Sequence, residues 1–182
     1  IRNEPPGTVK GSGTGVGASW HVAMAGLLMD QGIDPARFVW VPSQGAAPAL
    51  VDMIAGGVQV VPCSVPEARA LMDAGRVRSL AIMGPERHAL FGQVPTVKEA
   101  VGSNYTDGAW RSVAAPLGIP GDVAERLADA LAHAYKSNSY QEFLKKNGMG
   151  PKWMPAAEMR EFMAAHDAAM GRTLEKMGMR KA

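Results

Sequence analysis

"VKGSGTGVGASWHVA", residues 9–23, sets glycines at alternate positions (Gly11, Gly13, Gly15, Gly17) between a β-branched start and an apolar run. Inside a regular element each glycine costs roughly 0.5–1 kcal/mol relative to alanine. A chain that keeps four of them either turns sharply there or lets something approach its backbone closely. Upstream, Thr8–Lys10 reads as a strand. Downstream, Ser19–Gln31 carries an apolar face through Val22, Leu27 and Leu28, with Gly32 as a fitting stop.

The same alternation continues outward. Phe38–Val41 is a short β-rich run, Gly45 opens a helix through Ile54, and Gly56-Gly57 closes it. Val58–Val61 reads as the next strand, Pro66–Ala74 as the next helix, and Arg78–Met83 as another buried strand. Pro95-Thr96 caps a short helix after a long loop, and Ala109–Ala115 (AWRSVAA) reads as one more strand before Pro116. Strands and helices joined by short loops predict an α/β fold with a mostly parallel, doubly wound sheet.

From Pro120 the pattern is helical only. Val123, Leu127, Leu131 and Ala134 form one stripe, Tyr140 to Lys146 a second short helix, and Met159, Phe162, Met163, His166, Met170, Leu174 and Met177 a long third stripe. The expected organisation is an α/β lobe over 1–115 and a helical region over 116–182. The third stripe presents a long apolar face that must be covered, and pairing of two copies into a homodimer is the expected cover.

Composition excludes several classes. At 182 residues, with 47% hydrophobic and 20% charged residues, the chain is an ordinary globular one. No apolar run is long enough to cross a bilayer. A formal charge of +2, with only short basic pairs at Lys145-Lys146 and Arg180-Lys181, predicts no nucleic-acid partner. Cys63 is the only cysteine, so an intramolecular disulfide is impossible. The opening Ile1-Arg2-Asn3 has neither an initiator methionine nor a signal peptide and reads as that of a processed product or a fragment.

Two chemistries compete for the glycine loop. Gly13-Thr14-Gly15-Val16-Gly17-Ala18 fits G-x-G-x-x-A in the strand-to-helix context of a dinucleotide fingerprint. That motif also needs an acid at the end of the second strand, which here ends Val41-Pro42-Ser43-Gln44. A small NAD(P)-linked α/β enzyme is therefore the alternative, testable by soaking with NADH. The other reading keeps the backbone physics: a glycine loop feeding a helix start presents free N–H groups and the positive end of the helix dipole to an anion. "VPSQGAAPALVDMI" repeats the arrangement one βα unit later, so two such starts would converge on one crevice and hold a carboxylate with main-chain donors.

No catalytic set assembles. His21, His88, His133 and His166 lack zinc spacing, and Ser12, Ser19 and Ser64 have no visible base partner or nucleophile elbow. Trp40, Trp110 and Trp153 read as packing residues. No enzyme, metal or cofactor is expected.

Taken in order, "G-x-G-x-x-x-H" (Gly15 to His21), "VPSQGAAPALVDMIAGGVQV", "AGRVRSLAIMGPER", "VPTVKEA" and "WRSVAAPLGIP" resemble the tripartite tricarboxylate transporter receptor family, the Bug-type periplasmic solute-binding proteins. The resemblance implies a periplasmic clamshell that closes on a small organic acid carboxylate and hands it to membrane permease subunits. It implies ligand-binding roles for Ser12, Thr14, Gly15, Val16, Ser19, Gly45 and Ala46, with Ser64 at the cleft wall. Three departures stand out. The family's first lobe has no counterpart before Ile1, Ser43 stands where an aromatic is common, and Trp110-Arg111-Ser112 replaces W-x-G.

Overall fold

The computed structural model describes residues 1–179. Its contacts group into two units: Ile1–Gly108 together with residues 169–179, and Ala109–Ala168.

The first unit is built on β1 (Lys10–Ser12), α1 (Ser19–Asp30), β2 (Val39–Val41), α2 (Ala46–Ile54), α3 (Val65–Asp73) and α4 (Val97–Val101). β1 and β2 run parallel, pairing Lys10 with Val39, Gly11 with Trp40 and Ser12 with Val41. On the other side of β1, Gly11 makes a parallel bridge to Val60, and the Ser12 amide donates to the Val60 carbonyl at 3.1 Å. Parallel neighbours need a crossover, and α1 and α2 supply the two of this group.

Helix α1 buries Val22, Ala23, Met24, Ala25 and Leu28, apolar residues on more than one side, as expected of a helix inside a core. Met24, Leu28 and Phe38 form the centre, with Ile1, Val9, Ile33, Trp40 and Val60 packed around them. Ser103 is also buried; its hydroxyl donates to Asp30 Oδ2 at 2.6 Å and accepts from the Tyr105 amide, so this polar group is fully used. Helix α4 begins with a capping box in which Thr96 and Glu99 exchange side-chain and backbone hydrogen bonds.

The sheet is smaller than the βα alternation predicts, and the expectation of a doubly wound sheet needs correction. Among the described residues the only ladder is β1 with β2. The strand expected at Thr8–Lys10 lies two residues later, Val58–Val61 pairs only at Val60, and Arg78–Met83 contributes a single bridge from Ile82 to Thr96. Residues 109–115 pair with nothing in a regular ladder and are exposed along both faces. A strand exists only where a neighbour takes its backbone N–H and C=O groups; here the Trp110 carbonyl accepts from the Arg111 side chain at 3.0 Å rather than from an adjacent strand. The coarser expectation of an α/β fold with parallel pairing stands, and the structure makes it an α-rich unit around a small sheet.

The second unit holds α5 (Gly121–Lys136), α6 (Asn138–Asn147) and the first part of α7 (Ala156–Lys176). Trp110 packs edge-on against Phe162 and His166, and Tyr135 meets Trp153 at a tilt of 43°. Leu144 is its one buried large apolar side chain among the described residues, while Val123, Leu127 and Leu131 of the α5 stripe stay open to solvent. Lys145 and Lys146 lie in the last turn of α6, where they complement its dipole. The Arg180-Lys181 pair lies outside the described residues.

Candidate functional site

Because β2, β1 and the Val60 bridge run parallel, the three loops that leave them emerge at one edge of the first unit. Each leads into a helix: residues 13–18 into α1, 42–45 into α2, and 61–64 into α3. The loops touch. The Ser43 amide donates to the Thr14 carbonyl at 3.2 Å, and the Pro62 carbonyl lies 2.9 Å from where a side chain at Gly13 would begin. The first two helix starts thus share an edge, as the repeated small-residue loop predicts.

Backbone conformation explains the glycines that matter here. Gly17 has φ +74° and Gly45 φ +136°, regions that side chains with a Cβ rarely enter. At these positions the chain turns from loop into helix without a side chain over the helix start. Pro48 follows in the first turn of α2, where its missing N–H removes no helical hydrogen bond.

The predicted residues divide by the state of their donors. The amides of Gly15 and Val16 have no hydrogen-bond partner among the described residues, and those of Ser19 and Trp20, in the first turn of α1, have no intrahelical acceptor. Val16 is 58% exposed at the loop tip, and Ser19 is exposed beside it. Thr14 Oγ1 is buried with no partner among the described residues, a group that ordinarily bonds water or a ligand. Gly45 and Ala46 form the start of α2, with Ala46 buried.

Ser12 and Ser64 are differently placed. Ser12 is 2% exposed and its amide belongs to the pairing with Val60. Ser64 donates both its amide (2.8 Å) and its hydroxyl (2.7 Å) to Glu67 Oε2, so the start of α3 already holds a carboxylate of its own. The S-x-x-E spacing of Ser64 and Glu67 is the sequence signal for that capping box.

The loops 13–18, 42–45 and 61–64 contain no Lys, Arg or His, so an anion there would meet backbone donors and helix dipoles rather than a counter-charge. Among the described residues no group of three metal-ligating side chains gathers. Cys63 lies in the third loop, where burial and then the Glu67 carboxylate push its thiol up to about 12, leaving it a poor nucleophile at neutral pH.

Two rings outside the predicted contacts bear on the first loop: Trp40, read from sequence as a packing residue, and His21, for which sequence reading excludes only a zinc site. His21 stacks on Trp40 with centroids 4.7 Å apart, and its Nδ1 accepts from the Gly17 amide at 2.9 Å. Trp40 Nε1 donates to the Thr14 carbonyl at 3.0 Å. The readable half of this arrangement is the spacing: helical side chains tilt toward the N-terminus, so a residue in the first turn covers the loop before it. The Trp40 half depends on strand pairing.

The fold is of the periplasmic-binding-protein type. A structural relative, Rpa4515 of R. palustris solved with adipate, matches with a TM-score of 0.83 at 25% identity, over 97% of this chain and 58% of that one. The model of the family described as "Tripartite tricarboxylate transporter family receptor" matches residues 1–179, and the chain belongs to that family. A protein encoded in the tcbD-tcbE intergenic region of Pseudomonas sp. (strain P51) is 34% identical over 147 residues, 80% of this chain and 43% of the relative. A Cupriavidus necator protein from the gbd 5' region is 28% identical over 97% of this chain and 53% of its own length. The chain therefore spans about half the length of the curated relatives it matches.

Proposed function

We propose that this chain is the carboxylate-holding part of an extracytoplasmic, periplasmic solute-binding receptor, one that delivers a small organic acid to the membrane permease subunits of a tripartite tricarboxylate-type transporter. The observation that carries the reading is the shared edge of loops 13–18 and 42–45, with open amides and the unpartnered Thr14 hydroxyl. A carboxylate at these two helix starts gains charge-assisted hydrogen bonds, each about 1.5–3 kcal/mol, without a buried counter-charge to desolvate. The adipate in the R. palustris relative supports a dicarboxylate of similar size. Thr14, Gly15, Val16, Ser19, Gly45 and Ala46 are the proposed contacts. Ser12 and Ser64, whose amides are already engaged, would contribute only to the walls.

The proposal keeps the functional division into an α/β lobe, 1–115, and a helical region, 116–182. The pairing expected of the α7 stripe, where Met163 is exposed and Met159, Phe162, Met170 and Leu174 are half-buried, is proposed with the open α5 stripe of Val123, Leu127 and Leu131 as further apolar surface for a second copy to cover. Light scattering at two concentrations reads this directly, and a strictly monomeric species refutes the pairing.

The binding reading is tested by calorimetry and amide NMR with adipate against adipamide, which keeps the carbon chain and removes both charges. Adipate should shift the amides of residues 14–19 and 45–47 and adipamide should not. Equal responses, or adipate shifts elsewhere only, would refute it.

A further inference from the structure

We propose that His21 is a positioning residue for the first loop: with Trp40 it holds Thr14 to Gly17 in shape, and it does so only as the neutral imidazole. The inference rests on the reading that this loop receives a carboxylate. The geometry gives the protonation state. A backbone N–H can only donate, so Nδ1 at 2.9 Å from the Gly17 nitrogen must offer its lone pair, leaving a neutral ring's proton on Nε2. Trp40 ties the other end through its 3.0 Å bond to the Thr14 carbonyl, and the stacked rings make the two ties one clamp.

Two consequences for the loop follow. The Gly17 amide is bonded to the ring and is unavailable to a ligand, while the amides of Gly15 and Val16 have no partner among the described residues. Protonating the ring would set an Nδ1–H against the Gly17 N–H, two donors face to face, and that end of the loop would be released.

The surroundings favour the neutral ring. Burial lowers the His21 pKa from its ordinary value, and the positive end of α1 also disfavours a cation there. Residues 13–18 and 39–45, which pack against the ring, carry no titratable side chain. Asp30, the only other titratable residue of α1, stands at the far end of that helix. The end of α7, whose Leu174 approaches Gly17, carries Arg172, Glu175 and Lys176 among the described residues, with Arg172 and Lys176 lining the hollow beside Asp30 and Tyr105.

The test follows the Gly17 amide and the His21 ring nitrogens by NMR from pH 8 to 5, with adipate affinity measured on the same samples. In the wild type the Gly17 resonance should move with the ring titration. His21→Asn places an uncharged oxygen near the Nδ1 position; it should restore the Gly17 hydrogen bond and abolish the pH response. His21→Ala should lose the bond and weaken adipate by about fivefold to tenfold at pH 7.5, the loss of roughly 1 kcal/mol of positioning. Adipate takes up protons in the same range, so the readout is the ratio of wild type to His21→Asn, which should fall several-fold between pH 7.5 and 5. A Gly17 amide indifferent to the ring, or a His21→Ala protein with wild-type loop shifts, would overturn the proposal. Should the Gly17 response follow the ring while adipate binds away from the loops at every pH, the clamp stands and the carboxylate reading falls.

Discussion

Gly11 sits at the middle of β1, opposite Trp40 on one side and Val60 on the other, and its φ is one that alanine adopts freely. What forbids a side chain is Phe38. A Cβ at position 11 would lie 2.2 Å from Phe38 Cζ and 2.7 Å from Cε1, with the Val60 carbonyl at 3.0 Å. The ring cannot easily yield, because Phe38 is itself in the core against Met24 and Leu28. Overpacking of this kind costs about 1–3 kcal/mol. Replacing glycine also stiffens the unfolded chain, which returns about 0.4–1 kcal/mol. Gly11→Ala should therefore lower stability by about 1–2 kcal/mol, shifting a urea midpoint by roughly 0.5–1 M at an m-value near 2 kcal/mol/M. Tryptophan fluorescence follows the transition, and the m-value should not change. Phe38→Leu removes the two clashing ring atoms, so the double variant should be more stable than the sum of the singles by about 0.5–3 kcal/mol. A Gly11→Ala protein within 0.5 kcal/mol of wild type, or strict additivity with Phe38→Leu, would refute the steric account.

Thr96→Ala removes the hydroxyl that accepts from the Glu99 amide at 3.2 Å, at a residue only 4% exposed, and should cost about 0.5–2 kcal/mol in chemical denaturation. Cys63, with its thiol pushed up to about 12, should alkylate at pH 8.5 at least about tenfold more slowly in the native protein than in urea. The His21 pKa is lowered on folding, so between its folded value and the unfolded value near 6.5 the unfolded chain binds more protons. Its contribution to stability is full above that unfolded value and is lost as pH falls through the folded one; His21→Asn should flatten this part of a stability-versus-pH curve.

The helices were legible because their signals are local. Gly45 before α2, Thr96 with Glu99 at α4, and the apolar spacing of α1 and α7 all act within a few residues. The strands were less so, because pairing is a property of two segments. Arg78–Met83 and Ala109–Ala115 have the composition of strands, yet Ile82 finds one bridge and 109–115 finds no ladder. At the candidate site, the two small-residue loops could be read from spacing alone. Which of their donors are already engaged could not. Ser12 turns inward through the register of β1 with its neighbours, and the stacking of His21 on Trp40 exists only once β2 lies beside β1. Ser64 is the exception, since Glu67 three residues on announces a self-capped helix.

That self-capped helix gives the edge a polarity. Of its three helix starts, two present open backbone donors and the third is filled by Glu67 with the chain's own carboxylate. In the proposed site an incoming dianion would be drawn toward α1 and α2 and repelled from α3, and Glu67 would act as a fixed internal competitor. A headgroup would then have one preferred end of the edge to approach from, and the rest of the molecule would have to extend away from α3.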